Sequence, residues 1–325
     1  MGEPAEQLQL NPADHPVFLV GSERSGTTML RLMLDSHPAV SFAAEFEFLV
    51  DQMGAAGRRP NLDAYHRYLS TSRIFESSGL TVDPTLDYDD LVHGFLEAQV
   101  GDAEFVGATV HYRFDQLPEL WPNARFIHIV RDPRDVAPSC IKMGWAGNVW
   151  FGLDKWIESE EDWSRFAPSV SANRIFEVRF EELVADHETT LTRLCAWLGV
   201  PWTEEMIGYT EWTDYEPPTS SAAGRWSLTQ SDEDVRLMEA RLGDWLERSG
   251  YEPSGLPPLV VDDDALATLA REDRRVRLQF RRKRFGLPLV LAELATRPLA
   301  RAAIRTRVLQ RMNAIEMSTL KKSWR

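Results

Sequence analysis

Residues 17–34, VFLVGSERSGTTMLRLML, decide how the rest of the chain is read. Val17–Val20 is short and wholly apolar, the pattern of a strand buried on both faces of a parallel sheet. A glycine-bounded turn follows at Gly21–Thr28, and TTMLRLMLDSH then continues as a helix that Pro38 stops. Strand, tight turn and helix N-terminus make an anion site, because the first N–H groups of a helix have no carbonyl partner and the aligned peptide dipoles stand behind them. A nucleotide-binding loop of the form GxxxxGK[ST] would carry lysine where this chain has Thr27. Arg24 supplies a cation instead, Gly21 and Gly26 allow the turn, and Ser25, Thr27 and Thr28 add hydroxyl donors. A nucleotide kinase or ATPase needs the lysine and a carboxylate-held magnesium to neutralise its outer phosphates. The loop therefore suits a single phosphate that carries a transferable group of modest charge.

Outward from the loop, RFIHIV (125–130) reads as a second buried strand running into RDPRDVAPSC, where Asp132 or Asp135 can cap a helix. NRIFEVRFEEL, from Asn173, reads as strand then turn, and TTLTRLCAWLGV, from Thr189, as an amphipathic helix ended by Gly199. DQMGAAGRRPNLDAYHRYLS, from Asp51, is expected to be loop and helix of a lid or acceptor-side insertion. The predicted fold class is α/β, a central parallel sheet flanked by helices, with ligands held beyond the carboxyl ends of the strands.

Four elements in order resemble the sulfotransferases that use 3′-phosphoadenylyl sulfate (PAPS). GSERSGTT resembles their 5′-phosphosulfate loop, with Arg24 at the position of its Lys or Arg, and FIHIVRDPRDVAPS their 3′-phosphate element, with Arg131 at a strand end and Ser139 eight residues on. VRFEELVADHETTLTRLCAWLGVP resembles the family's later segment, and AAGRWS the loop that closes over the adenosine. The resemblance runs from Val17 to Tyr251 and implies a P-loop-like sulfotransferase fold, a PAPS donor, adenosine 3′,5′-bisphosphate as product and no required metal. It implies donor contacts from Arg24, Ser25, Gly26, Thr27, Thr28, Arg131 and Ser139, with Arg225 as a second 3′-phosphate contact. Trp226 is placed either near the adenine or in the core, and Arg134 at the surface. Chemically, a strand-end arginine and a serine on the next helix can share one anion. Arg131 alone would equally suit a salt bridge inside the RDPRD turn.

Transfer to a hydroxyl or amine needs a base for the acceptor's proton. HPAVSFAAEFEF follows the first helix, and Glu45 falls at the glutamate of the family's PPETHF-like segment. Apolar neighbours are expected to desolvate Glu45 and raise its pKa toward that of a working base; the other reading makes Glu45 and Glu47 solvent-facing residues of a strand-like EFEF. Arg24 and Glu45 are thus the catalytic candidates. Many members carry a GDKTP-like segment before the 3′-phosphate strand. Here it reads GATVHYRF, with Ala108 in the lysine's place and His111 or Arg113 near enough to donate. His37, before Pro38, reads as a turn-closing residue. Trp145, Trp150, Trp156 and Trp163 suit either an acceptor cleft or the core.

The chain has 325 residues, 43% of them hydrophobic, and 11 Trp, enough for a sizeable core. Its net charge of -14 is uneven: residues 271–325 hold 16 Lys and Arg against 4 Asp and Glu, +12, which leaves -26 for residues 1–270. An acidic body argues against a nucleic-acid polymer as substrate. The expected organisation is an N-terminal segment (1–15), a sulfotransferase-like domain (16–251), a linker (252–270) and a basic helical extension (271–325). That extension either lies on anionic lipid, suiting a lipid-linked acceptor, or packs on the acidic body or a second subunit as a charged helix. MGEPAEQLQLNPADHP has neither a signal-peptide pattern nor a myristoylation motif, and Cys140 and Cys195 are the only cysteines. The expectation is a cytoplasmic enzyme, peripheral to the membrane if the lipid reading holds, acting on a small-molecule, carbohydrate or lipid-linked acceptor, with a homo-oligomer left open. Two other classes stay open, a P-loop nucleotide kinase or ATPase and a non-catalytic PAPS-binding protein.

Overall fold

The structure, a computed structural model, describes residues 11–299 and 303–323. The readings made for residues 1–10 lie outside the described residues. Five strands form one wholly parallel sheet in the order β2-β3-β1-β4-β5. They are β1 (Val17–Val20), β2 (Val40–Glu45), β3 (Phe105–Val110), β4 (Arg125–Val130) and β5 (Ile175–Arg179). Because side chains alternate along a strand, the four apolar residues of β1 serve two layers. Val17 and Leu19 pack with α1 (Thr27–Asp35) and the helices Phe180–Ala185 and His187–Leu198. Phe18 and Val20 pack on the opposite face with helix Tyr88–Glu97, Trp121 and Trp163. Burial on both faces explains why β1 reads as an unbroken apolar run rather than an alternating one.

β1, β4 and β5 lie where the sequence pattern places them, whereas β2 and β3 carry little strand signature. β3 contains Gly107, which a strand propensity scale disfavours. The glycine is needed there: a Cβ would fall 2.2 Å from the Phe42 ring of β2 and 2.4 Å from the Val17 carbonyl of β1. β2 shifts register against β3 between Ala43 and Glu45, so Glu45 pairs with Thr109. Such an irregularity re-aims the side chain at the strand end. α1 stops at Asp35, three residues before Pro38, and His37 closes the turn through the Ala39 N–H (3.1 Å) and the Pro201 carbonyl (2.9 Å).

The basic extension begins earlier than its charge suggests. Residues 252–262 hold no regular element, but a helix runs over Asp263–Phe285, capped by Asp262, whose carboxylate accepts from the Ala265 N–H. Helices Leu287–Thr296 and Ala303–Ser323 follow. Asp273 is buried against the body and accepts from the Gly147 N–H at 2.7 Å. Glu293 ties the three helices together through Arg281 (2.8 Å), Arg297 (3.0 Å) and Arg305 (3.1 Å). Burial would raise its pKa, but the three guanidiniums hold it down to about 2. The last helix returns to the body, where Gln310 and Asn313 donate to the Ser70 and Thr71 carbonyls. The extension therefore packs on the body as a charged helical layer. No described helix is long and apolar enough to cross a membrane.

A Cβ at Gly147 would lie 2.6 Å from the Asp273 Cα. Gly147→Ala is therefore expected to cost about 1–3 kcal/mol and to expose helix Asp263–Phe285 to limited proteolysis. Gly94→Ala, in a helix with nothing within 4 Å of the added carbon, is expected to stabilise by up to about 1 kcal/mol; thermal unfolding of both variants checks the pair.

Candidate active site

Since all five strands are parallel, the loop after β1, the end of β2, the residue after β3 and the residue after β4 meet at one edge of the sheet. The loop is shaped by close packing. Gly21 has φ +142°, and a Cβ there would lie 2.3 Å from the Ile129 carbonyl of β4; Gly26 has φ +96°, and its Cβ would strike the Phe180 ring at 2.3 Å. Gly26 is the N-cap of α1 and offers no side chain, so the first-turn amides of the helix stay free. Arg24 itself adopts a left-handed conformation, φ +71°, which non-glycine residues enter at a cost. It turns the guanidinium toward the helix after β4, where Arg24 Nε donates to Ser139 Oγ at 2.8 Å.

Arg131, just beyond β4, sits on the other side of Arg24. Its Nη1 donates to the Arg24 carbonyl at 3.3 Å and its Nη2 to the Ala222 carbonyl at 2.7 Å, while the guanidinium stacks on Phe180 at 4.1 Å. Burial lowers its pKa and Asp135, 3.6 Å away, works in the opposite direction. Arg131 thus makes the RDPRD ion pair and still faces the loop. Its Nε is buried with no partner, as is Ser25 Oγ. Two buried donors without acceptors, beside free helix amides, fit an anionic ligand. Arg24, Ser25, Gly26, Thr27, Thr28, Arg131 and Ser139 are gathered here, and the loop before Arg225 reaches them through Ala222.

The closing loop differs in detail from expectation. Arg134 is not a surface residue: it is buried, pairs with Asp132 (2.8 Å) and Glu239 (2.8 Å), and covers the Trp226 ring at 3.8 Å. The Trp226 N–H donates to Asp135 at 2.7 Å, so this ion-pair cluster anchors the loop to the helix that starts with Pro133. Trp226 is half-buried in that cluster and Arg225 is exposed. Three of the four tryptophans read as cleft or core are core: Trp150, Trp156 and Trp163 are buried, and only Trp145 is exposed.

The carboxylates divide in a way the sequence does not show. Glu45 ends β2 with its side chain 44% exposed, and Arg73 approaches it at 3.7 Å while also pairing with Glu316 of the last helix at 3.4 Å. The expected desolvation of Glu45 by its apolar neighbours is not observed. Those phenylalanines point into the core while the carboxylate faces solvent and Arg73. Glu47, in a one-turn 3-10 helix, is the buried one, so the pair is not a solvent-facing strand edge. It meets His111 Nδ1 at 2.5 Å, and His111 Nε2 lies 3.3 Å from Thr27 Oγ1 in the anion loop. Burial alone would lower the imidazole pKa, but Glu47, with smaller help from Glu23 and Glu45, pushes it up to about 9. Burial also pushes the Glu47 carboxyl up, which His111 opposes, so the two groups hold a proton between them beside the loop.

Ala108 cannot occupy the role of the family lysine. It lies inside β3, paired with Phe18 and fully buried in the core, and His111 is the first residue of that segment to reach the edge. Arg113 is spent on structure, donating to the Asp51 and Met53 carbonyls. Glu47 carried one usable signal, a second glutamate two residues after Glu45. Only the irregular end of β2 reveals that the two face different surroundings.

The sulfotransferase family model matches residues 16–204, more than half of the chain. The chain belongs to the sulfotransferase family. This sulfotransferase is 23% identical to protein-tyrosine sulfotransferase A of Caenorhabditis elegans over 283 residues, which cover 79% of this chain and 72% of the relative. It is 28% identical to the omega-hydroxy-beta-dihydromenaquinone-9 sulfotransferase Stf3 of Mycobacterium bovis over 320 residues, covering 76% and 79%. Among solved structures, the sulfotransferase domain from the curacin biosynthetic pathway superposes with a TM-score of 0.53 at 19% identity, covering 75% of this chain and 99% of that one. That likeness shows the P-loop-like sulfotransferase fold. Family membership makes the protein an enzyme and sets aside the kinase, ATPase and non-catalytic readings.

His111 has a folded-state pKa above its ordinary 6.5, so its contribution to stability is complete below about pH 6.5 and lost as pH rises through about 9. The unfolding temperature is expected to fall across that window, and the fall to disappear in His111→Gln. Parallel profiles for the two proteins would remove the charge from His111.

Proposed function

We propose that this sulfotransferase moves a sulfuryl group from PAPS to a hydroxyl of its acceptor, an amine being the chemical alternative. The observation that carries the donor assignment is the 2.8 Å bond from Arg24 to Ser139, with Arg131 on the Arg24 carbonyl. It joins a helix N-terminus and a strand-end arginine, over 100 residues apart in sequence, into one site with two anion positions. A donor phosphorylated at both ends of its ribose fits two such positions; MgATP, with a single chain of phosphates, does not. In this reading the α1 amides, Arg24, Ser25, Gly26, Thr27 and Thr28 hold the 5′ group. Arg131 and Ser139 hold the 3′-phosphate, Arg225 closes onto it and Trp226 borders the adenine.

PAPS supplies the sulfuryl group. Glu45, the accessible carboxylate at the same sheet edge, takes the acceptor's proton as the new oxygen–sulfur bond forms. Arg24, the helix amides and the Thr27 hydroxyl, backed by the His111 imidazolium, hold the negative charge left on the departing phosphate oxygen. His111 thus fills the electrostatic role for which the sequence shows no lysine. The relatives named above act on protein tyrosine and on an omega-hydroxy-dihydromenaquinone, both hydroxyl acceptors, which supports a hydroxyl here. A cytoplasmic location belongs to the same reading, supported by Cys140 and Cys195, which are buried and unpaired.

Adenosine 3′,5′-bisphosphate at ~100 times its dissociation constant is expected to stabilise the protein by ~2.7 kcal/mol in thermal unfolding, with MgATP giving no comparable shift. The reverse order would refute the donor. With radiolabelled donor and a host extract as acceptor source, Arg24→Ala is expected to lose about 10²- to 10³-fold in turnover. Glu45→Ala should lose turnover while keeping its affinity for the bisphosphate; undiminished turnover in that variant would refute Glu45 as the base.

A further inference from the structure

The first two helices of the extension present a surface that the site does not use. On helix Asp263–Phe285 the residues Arg271, Arg274, Arg275, Leu278 and Arg282 are exposed. Their spacings of three and four put them on one face. The opposite face holds the buried Asp273 and Phe280, whose ring lies against Gly144 of the body. On the next helix Leu287, Leu291 and Leu294 are exposed at 46%, 54% and 39%, again at spacings of four and three. The two faces meet at the Gly286 corner. An open depression of about 340 Å³ there is lined by Gln279, Arg282, Lys283 and Leu287.

Asp263 and Asp264 are exposed in the first turn of the first helix, about six turns from the Gly286 corner, and the acids nearer that corner are committed elsewhere. Glu293 is buried among three arginines, Asp273 is buried against Gly147, and Glu272 accepts from Asn148 at 3.3 Å. What remains outward around the Gly286 corner is cation beside leucine. An acidic protein surface would satisfy the arginines but not three exposed leucines in register, whereas a nucleic acid would meet them only with phosphate. A bilayer containing anionic lipid takes both, the guanidiniums at the headgroups and the leucines below them. We propose that this face docks the enzyme on an anionic membrane surface, with a headgroup phosphate seated in the depression at Arg282 and Lys283 and Leu287, Leu291 and Leu294 inserted beside it. The inference does not rest on the donor or base assignments.

Co-sedimentation of the full-length protein with vesicles of phosphatidylglycerol and phosphatidylcholine, against vesicles of phosphatidylcholine alone, tests it. Binding is expected only to the anionic vesicles and should weaken as salt rises. A basic residue near such a surface is worth about fivefold in partitioning, so R274E/R275E/R282E/K283E should lose on the order of 10²-fold or more. L287S/L291S/L294S should also release the protein while leaving its salt dependence in place. Both variants should keep the thermal shift given by adenosine 3′,5′-bisphosphate, which shows that the body is folded. Equal pelleting of wild type and variants, or of wild type with both vesicle types, overturns the proposal. So does a light-scattering mass showing a dimer that the charge variant dissociates while no vesicle binds. Loss of the bisphosphate shift in wild type would count against the donor reading alone.

Discussion

The free amides at the start of α1 are the constraint around which the rest of the molecule is arranged. They exist because Gly26 caps the helix without a side chain, and the loop keeps its shape because Gly21 and Gly26 let the Ile129 carbonyl of β4 and the Phe180 ring approach closer than any Cβ would allow. A helix N-terminus is a weak anion site by itself. Here it gains Arg24, whose left-handed backbone aims the guanidinium at Ser139, and Arg131, which is stacked on Phe180 and hydrogen-bonded to the Arg24 carbonyl. Phe180 therefore has two tasks, packing on the loop glycine and supporting the strand-end arginine.

Behind this front lies a second layer of charge. Glu47 and His111 form a buried ion pair whose outer nitrogen meets the loop through Thr27. Breaking a buried pair by removing one partner is costly, because the other charge is left without compensation. The arrangement places the His111 imidazole against the loop hydroxyl of Thr27 without exposing it to solvent. Glu45, one turn of backbone away, has the opposite properties: accessible, close to Arg73, and through Arg73 in contact with the last helix of the extension. The extension thus reaches the end of β2 as well as covering the body.

Much of the fold was legible in the sequence, for reasons that can be named. Buried strands flanked by helices leave apolar runs, unbroken at Val17–Val20 and interrupted at Arg125–Val130 only by Arg125 and His128, and glycine after a strand leaves a turn. β2 and β3 were not legible, since Gly107 and the alanines of β2 are selected by the closeness of neighbouring strands rather than by local preference. Arg134 misled because a charged residue in a charged turn has no sequence mark to separate exposure from a saturated ion-pair network. The tryptophans after Lys142 misled less, as core was always one of their two readings.

The sequence by itself determined the family, the strand–glycine turn–helix at Val17–Asp35, the arginine at the end of β4, and the uneven charge of an acidic body and a basic extension. Each is a local pattern of residue types, and local patterns survive without coordinates. Only the tertiary structure decided which of two neighbouring glutamates is buried, that His111 rather than position 108 reaches the site, and which face of the extension is left outward. Those are matters of side-chain direction at the ends of β2 and β3 and around a helix. A one-residue irregularity or a rotation of 100° reverses them while the sequence reads the same.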